Sequence, residues 1–170
     1  MAITIVATPG AANANSYCTL DEANTYHDED RYHSKATWTG YGSNDRKRAL
    51  IWASRLLDEM VSWNGSIVYT TGALRWPRYD VWHEDGYMIT QTAVPQFVKD
   101  ATAEFAYHLL QEDRTLETNR DSIGYEMIQI GDLKLKVDKF THKPIMPPSV
   151  WMIIRDYATR AGKSATLERM

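Results

Sequence analysis

Few side chains in this 170-residue chain could do chemistry, and their spacing argues against most of it. The five histidines are His27, His33, His83, His108 and His142. His27 and His33 flank Asp28, Glu29, Asp30 and Arg31, which superficially suggests a metal site. On a helix, a separation of six leaves the two imidazoles about 120° apart, whereas paired ligands need a spacing of three or four. A solvated acidic face is the better reading of that run. His83-Glu84-Asp85 has no partners at ligand spacing and reads as an exposed turn. Cys18 is the single cysteine, which excludes an internal disulfide. Next to Tyr17 at a helix start, it reads as a packed small residue rather than a nucleophile. The sequence holds no glycine-rich phosphate loop, no nucleophile elbow and no cysteine pair. No metal, no cofactor and no enzymatic activity are expected.

The aromatic residues are the other notable set, with six tryptophans and ten tyrosines. Trp38, Trp63, Trp76 and Trp82 stand near or inside loops. Some of these must fill the core. For the rest, protein contact is favoured, because rigid aromatics bury large area at low entropic cost. Base stacking on single-stranded nucleic acid would need cations interleaved, and only Arg75 and Arg78 stand close by. The net charge of −3 also argues against a general nucleic-acid binder. Hydrophobic content of 44% and charged content of 24% suit one globular domain. No apolar run approaches a membrane span and no signal pattern opens the chain, so synthesis and residence in the cytoplasm are expected.

These residues must be positioned by a scaffold whose centre is Ser43 to Trp63. There Ala49, Leu50, Ala53, Leu56, Leu57, Met60 and Val61 recur at steps of three and four, predicting a helix with one apolar stripe. Arg46, Lys47, Arg48, Arg55, Asp58 and Glu59 fall largely off it, while Ile51 and Trp52 widen the apolar surface toward a second neighbour. Ser43 is the expected cap and Asn64-Gly65 the expected stop. Upstream, Ile3 to Ala7 reads as an edge strand or extended arm. Thr19-Leu20-Asp21-Glu22 fits a capping box opening a helix of about Leu20 to Tyr32. Residues 34–42 read as a linker anchored by Trp38 and Tyr41. Gly65 to Thr92 has no helical period and reads as a long irregular loop, the kind of segment that tends to form an interaction surface. In it, Trp76-Pro77-Arg78 is expected to pack on the chain's own helices, leaving residues 79–90 to reach a neighbour. Pro95 opens a helix with Phe97, Val98, Ala101, Phe105 and Leu109 inward. Alternation on both sides of Gly131-Asp132 predicts a hairpin within about residues 123–140. Ser149 is expected to cap a last helix with Val150, Ile153, Ile154 and Tyr157 inward, ended by Gly162, before a loose tail. The fold class expected is mainly α: a small bundle of about four helices with a long irregular loop and one β-hairpin.

Several blocks resemble a tailed-phage protein family. They are Ala14-Asn15-Ser16-Tyr17 with Thr19-Leu20 and Glu22-Ala23, then Ala49 to Asp58, then Leu74-Arg75-Trp76-Pro77-Arg78 and Val94-Pro95. The hairpin Gly131-Asp132-Leu133-Lys134-Leu135 resembles the family's late strand pair. Members often carry the label of DnaT-like single-stranded-DNA-binding protein, and the same sequences look like head–tail connector, or adaptor, proteins. That resemblance implies a virion protein of the phage neck, made in the host cytoplasm, forming a twelve-subunit ring. Its partners would be the portal protein, a tail or nozzle/stopper protein, and copies of itself, with DNA only passing through the lumen and no membrane involved. A single-stranded-DNA binder is the alternative. On this reading residues 1–147 form the adaptor domain, and residues 148–170 a helix and tail that dock on the portal. Trp151, Ile154, Tyr157, Arg160, Lys163 and Arg169 are the expected portal-contact residues. Tyr79, Trp82, Tyr87, Lys134 and Lys136 are the expected contacts to a neighbour or to the tail.

Overall fold

Two antiparallel-running helices and the loops folded over their ends organise the chain. The computed structural model describes residues 2–32, 34–113, 115, 128–130, 133–135 and 144–161. Thr19 opens α1 (Leu20–Thr25) with the anticipated capping box, its hydroxyl accepting from the Glu22 amide while the Glu22 carboxylate accepts from the Thr19 amide. The expected single helix to Tyr32 is corrected. From Tyr26 to Asp30 the chain widens into a π-helical turn, and the Arg31 amide reaches back five residues to the Tyr26 carbonyl. Widening places His27 inside, fully buried between Trp38 and Tyr107. The linker expected over residues 34–42 contains a helix, α2 (Lys35–Gly40), held by the buried Trp38, whose indole donates to Asn24.

The central helix α3 (Ser43–Met60) buries Ala49, Leu50, Ala53 and Leu57 as its periodicity requires. Two of its expected ends move. Gly42, not Ser43, is the N-cap, its carbonyl accepting from the Asp45 and Arg46 amides. The helix stops at Met60 because Val61–Trp63 becomes strand β1, with Val61 and Trp63 inward. Gly65 still adopts a left-handed φ of +67°, and a Cβ there would sit 2.1 Å from the Tyr79 carbonyl oxygen. Beyond it, β2 (Ser66–Ile67) pairs antiparallel with β3 (Arg78–Tyr79) inside the otherwise irregular segment.

Pro95 is the N-cap of α4 (Gln96–Gln111) rather than its first residue. α4 packs along α3 and buries Val98, Ala101, Phe105 and Ala106 completely. β4 (Ile128–Ile130) and β5 (Leu133–Leu135) form the anticipated antiparallel hairpin, pairing Ile128 with Leu135 and Ile130 with Leu133. Its turn, Gly131-Asp132, lies outside the described residues. Together these elements make a mainly α fold, as expected from the sequence.

The largest correction concerns the C-terminal part. Its helix, α5 (Pro148–Ile154), is capped by Pro147 and ends eight residues before Gly162. The chain then turns into β6 (Ala158–Arg160), which pairs antiparallel with β1, Val61 opposite Arg160 and Trp63 opposite Ala158. Val150, Ile154 and Ala158 are buried in the main core. Residues 148–161 are therefore part of the one core, and the separate unit expected from Pro148 onward does not begin there. Apolar width on α5 reflects packing against α4 on one side and the chain's return to β1 on the other. A chain ended after Tyr157 loses β6 and is expected to melt lower by roughly 4 °C or more. One ended after Ala161 keeps every described contact and is expected to melt within about 1 °C of the full chain. Equal melting of the two by calorimetry would show that β6 adds nothing.

Candidate functional site

The long segment after β1 is fastened by a buried carboxylate that the helical pattern had placed on the polar side of α3. Asp58 is only 7% exposed. Its Oδ1 accepts from the Tyr17 hydroxyl and the Trp63 indole, and its Oδ2 accepts from the Arg75 amide. Burial pushes its pKa up, and those donors pull it back. Burial and the adjacent carboxylate raise the Tyr17 pKa well above its ordinary value, so the phenol stays a donor. Three residues on, the Arg78 guanidinium donates to the carbonyls of Asn64 (2.7 Å), Gly65 (2.7 Å), Trp63 (3.4 Å) and Arg75 (3.2 Å). Trp76 lies between these anchors, 1% exposed, and packs on the helices as anticipated. Its Pro77 bond is cis.

From Trp76 a chain of rings leads outward to the surface. Trp76 meets Trp63 and Phe97 edge-on, each at 5.5 Å between centroids. Phe97 stacks on Tyr157 at 4.0 Å, and Tyr157 leans toward His83 at 6.3 Å. His83 stacks on Tyr87 at 4.4 Å with an interplanar angle of 11°. Trp82 and Met88 face each other in an isolated β-bridge, and the Gly86 turn between them has a φ of +84°. The tip so formed presents Trp82 (55% exposed), Tyr87 (55%), Met88 (43%) and Tyr79 (41%) to solvent. No Lys or Arg lies between Tyr79 and Gln91, whereas Asp80, Glu84 and Asp85 do. Removing those three from 22 acidic residues leaves 19 against 19 Lys and Arg, so this short segment carries the chain's whole net charge. Burial raises the Tyr157 pKa, and Tyr87, Asp156, Glu84 and Asp85 raise it further, marking the tip as a concentration of negative charge.

The expected portal-contact residues do not form one surface. Ile154 is fully buried and cannot meet a partner while α5 is in place. Tyr157 is spent within the ring ladder. Trp151 is half-buried under the Arg160 guanidinium, 4.9 Å from its ring centroid, and Arg160 itself is exposed. Lys163 and Arg169 lie outside the described residues. Of the neighbour-contact set, Tyr79, in β3, and Trp82 and Tyr87, before and after the Gly86 turn, are all exposed. Lys134 is placed only by its register, opposite Gln129 in the hairpin, and Lys136 lies outside the described residues.

Trp52, expected to widen the apolar surface of α3 toward a second neighbour, is instead 41% exposed, in line with charged residues that sequence reasoning passed over. Along α3 the residues Asp45, Arg48, Trp52, Arg55 and Glu59 follow at steps of three and four, and all are exposed, Trp52 by 41%. Beside Trp52 is an open groove of about 560 Å³ lined by Tyr41, Ala49, Leu109 and Leu110, with Asp45, Arg48 and Asp113 at its rim. Step-three and step-four spacing through charged residues was the available signal. Among the described residues no group of three or more His, Cys, Asp or Glu is placed to hold a metal ion. Both His27 nitrogens are engaged, by Ser34 and the Ala103 carbonyl, and burial takes its pKa down to about 4. His33 lies outside the described residues. Burial first, and the Glu22 carboxylate next, push the Cys18 thiol far above its ordinary pKa, which makes it inert. Among the described residues no helix is long and apolar enough to cross a membrane.

No curated protein and no solved structure matches the chain. A protein-family profile matches all of it, residues 1–170, and by that match the chain belongs to the family described as "Putative DnaT-like ssDNA binding protein".

Proposed function

We propose that this chain is a non-enzymatic structural subunit of a tailed-phage virion, a head–tail connector that forms a ring between portal and tail. The observation that carries this reading is the tip: exposed Tyr87 stacked on the outermost ring of a ladder rooted in the core, exposed Trp82 bridged to Met88, and carboxylates with no Lys or Arg between Tyr79 and Gln91. Rigid exposed aromatics are what protein interfaces use as anchors. Phosphates would be repelled from that tip. In the neck, the ring's copies would contact each other, the portal protein above and a tail or nozzle/stopper protein below. A ring of twelve would leave a lumen through which DNA passes without being held.

The family's description supports a second reading, binding of single-stranded DNA, and the Arg48–Trp52–Arg55 triplet is the place that favours it. An exposed indole between two guanidinium groups can stack a base and hold the phosphates beside it. A gel shift with oligo(dT) at about 50 and 200 mM salt separates the two. The connector reading expects no retained complex at either salt, and the tagged protein at the neck of purified particles. A complex that is tight at the lower salt and lost at the higher, with no tagged protein in particles, would overturn it.

A further inference from the structure

We infer that the arm before α1 is an open strand edge that pairs, about a two-fold axis, with the same arm of a second copy. Residues 2–8 belong to no helix and no sheet of the chain. One edge of the arm is nonetheless held as a strand's would be, because Asn15 lies along it. The Asn15 Oδ1 accepts from the Val6 amide at 2.8 Å, its Nδ2 donates to the Thr4 carbonyl at 3.0 Å, and its own amide donates to the Val6 carbonyl at 2.9 Å. The Thr8 carbonyl, next on that edge, accepts from the Ala11 amide. Backbone groups of successive strand residues point to opposite edges, so Ile5 and Ala7 turn theirs the other way. Among the described residues, neither the N–H nor the C=O of Ile5 or Ala7 has a partner. Buried backbone groups are almost always paired, so these face water. The open edge has two ends. At Ile3 the amide donates to Asn44 and the carbonyl accepts from Lys47, both on α3, and Pro9 has no N–H to offer.

The pattern of free groups selects the partner. Set antiparallel to itself with Val6 opposite Val6, the arm brings Ile5 of each copy against Ala7 of the other. In such a hydrogen-bonded pair each residue donates its N–H to the other's C=O, so every free group of both copies is satisfied. The intervening Thr4, Val6 and Thr8 need no bond across that edge, since their backbone groups point to the Asn15 side. Pro9 falls opposite Ile3, whose groups are already spent on α3, so the ladder stops where both run out. Ile3-Thr4-Ile5-Val6 is a run of strong strand formers. No charged side chain precedes Asp21, so nothing on the arms repels a like copy despite the net charge of −3. Edges that must stay single are usually blunted by charge, and this one is not. A two-fold contact closes on itself and makes a pair, not a ring. It therefore stands apart from the connector reading, and neither depends on the other.

Added cysteines test the register in the full chain. Thr4 and Thr8 are exposed and Cys18 is buried, so T4C and T8C are expected to melt as the native chain does, with the native thiol kept out of reach. In the symmetric pair Thr4 of one copy stands opposite Thr8 of the other, with Cα atoms about 4.5 Å apart and within disulfide reach. The two Thr4 residues stand about 14 Å apart, beyond it. At about 0.5 mM protein under mild oxidation, an equimolar mixture of T4C and T8C is expected to give at least about tenfold more cross-linked dimer than either variant alone. Ala7→Pro removes the free donor and no bond within the chain, and built into both partners it is expected to abolish that excess. Amide exchange needs no substitution. From about 0.05 to 1 mM native chain, the Ile5 and Ala7 amides are expected to slow, and the Thr4 and Thr8 amides to stay fast. T4C cross-linking to itself as well as to T8C would overturn the two-fold register. Ala7→Pro partners that still cross-link in excess would show that the edge is not what pairs. Exchange at Ile5 and Ala7 that ignores concentration, with only monomer in sedimentation at about 1 mM, would overturn the contact itself, while location in the particle decides the ring reading separately.

Discussion

Trp76→Ala is expected to destabilise the chain by about 3–5 kcal/mol, the range for removing a buried indole from a core that cannot close over the gap. The site cannot collapse easily, because its walls are fixed independently. Trp63 is held through its indole by Asp58, Phe97 belongs to α4, and the backbone on either side of Trp76 is fastened by Arg75 and Arg78. A stability measurement alone would not show that the ladder matters, so the tip supplies a second readout. With Trp76 gone, Phe97 loses one neighbour, and Tyr157 and His83 lose their support in turn. Trp82 fluorescence is expected to become more quenchable by iodide in Trp76→Ala, with the other tryptophans replaced by phenylalanine where the fold tolerates it. The Trp76 indole N–H is buried with no partner among the described residues. Trp76→Phe removes that donor while keeping most of the ring, and so is expected to cost less than about 2 kcal/mol. Urea unfolding of the three chains checks this. An alanine variant as stable as the native chain would mean that the loop is not part of the core.

How far the sequence carries can be read from where it misled. The buried face of α3 was legible because period is a local property: Ala49, Leu50, Ala53 and Leu57 are selected by one helix against one core. Its end was not, because Val61–Trp63 leaves the helix to pair with residues almost a hundred positions later, and no window of local pattern contains that partner. α2 was missed for a different reason. Lys-Ala-Thr-Trp-Thr-Gly is a poor helix by propensity, and burial of Trp38 overrides that weakness. Asp58 was misread as surface because a charged residue off the apolar stripe normally is. Only Tyr17, Trp63 and Arg75, converging from three parts of the chain, make its burial affordable.

The exposed aromatic segments show the same division. Tyr79, Trp82 and Tyr87 could be picked out because turn residues and aromatics in one irregular stretch are visible locally. That Tyr157 would help support them, rather than join a separate arm with Ile154, depends on β6 returning the chain to β1. The stripe on α3 was visible in spacing, but the groove beside it was not, because Leu109 and Leu110 complete it from another helix.

Glu104→Gln is expected to weaken the fold by about 3–5 kcal/mol at neutral pH, because it strips the charge from a buried carboxylate and leaves its donors facing a neutral amide. Glu104 is 1% exposed, in the middle of α4. Its Oε2 accepts from Arg31 at 2.9 Å and from the Tyr26 hydroxyl at 3.3 Å, while Oε1 lies 3.3 Å from His108, which also reaches Ser149 at 3.0 Å. One carboxylate thus ties the π-turn and the start of α5 to α4. Burial alone would raise its pKa. Hydrogen bonds from His108, Arg31 and Ser149, with the Arg31 charge, more than offset that and take it down to about 2. The folded value lies below the model-peptide value of about 4.3, so the stabilisation is fully present above that pH. It is lost as pH falls from there through about 2. The native chain is therefore expected to lose stability steeply over that window, and Glu104→Gln, already lacking the charge, to lose less. Urea titrations of both chains at pH 7, 4.5, 3.5 and 2.5 (about half-unit precision suffices) give the difference directly. Parallel curves for the two chains, with a constant gap down to the lowest pH, would show that ionised Glu104 is not what holds the three elements together.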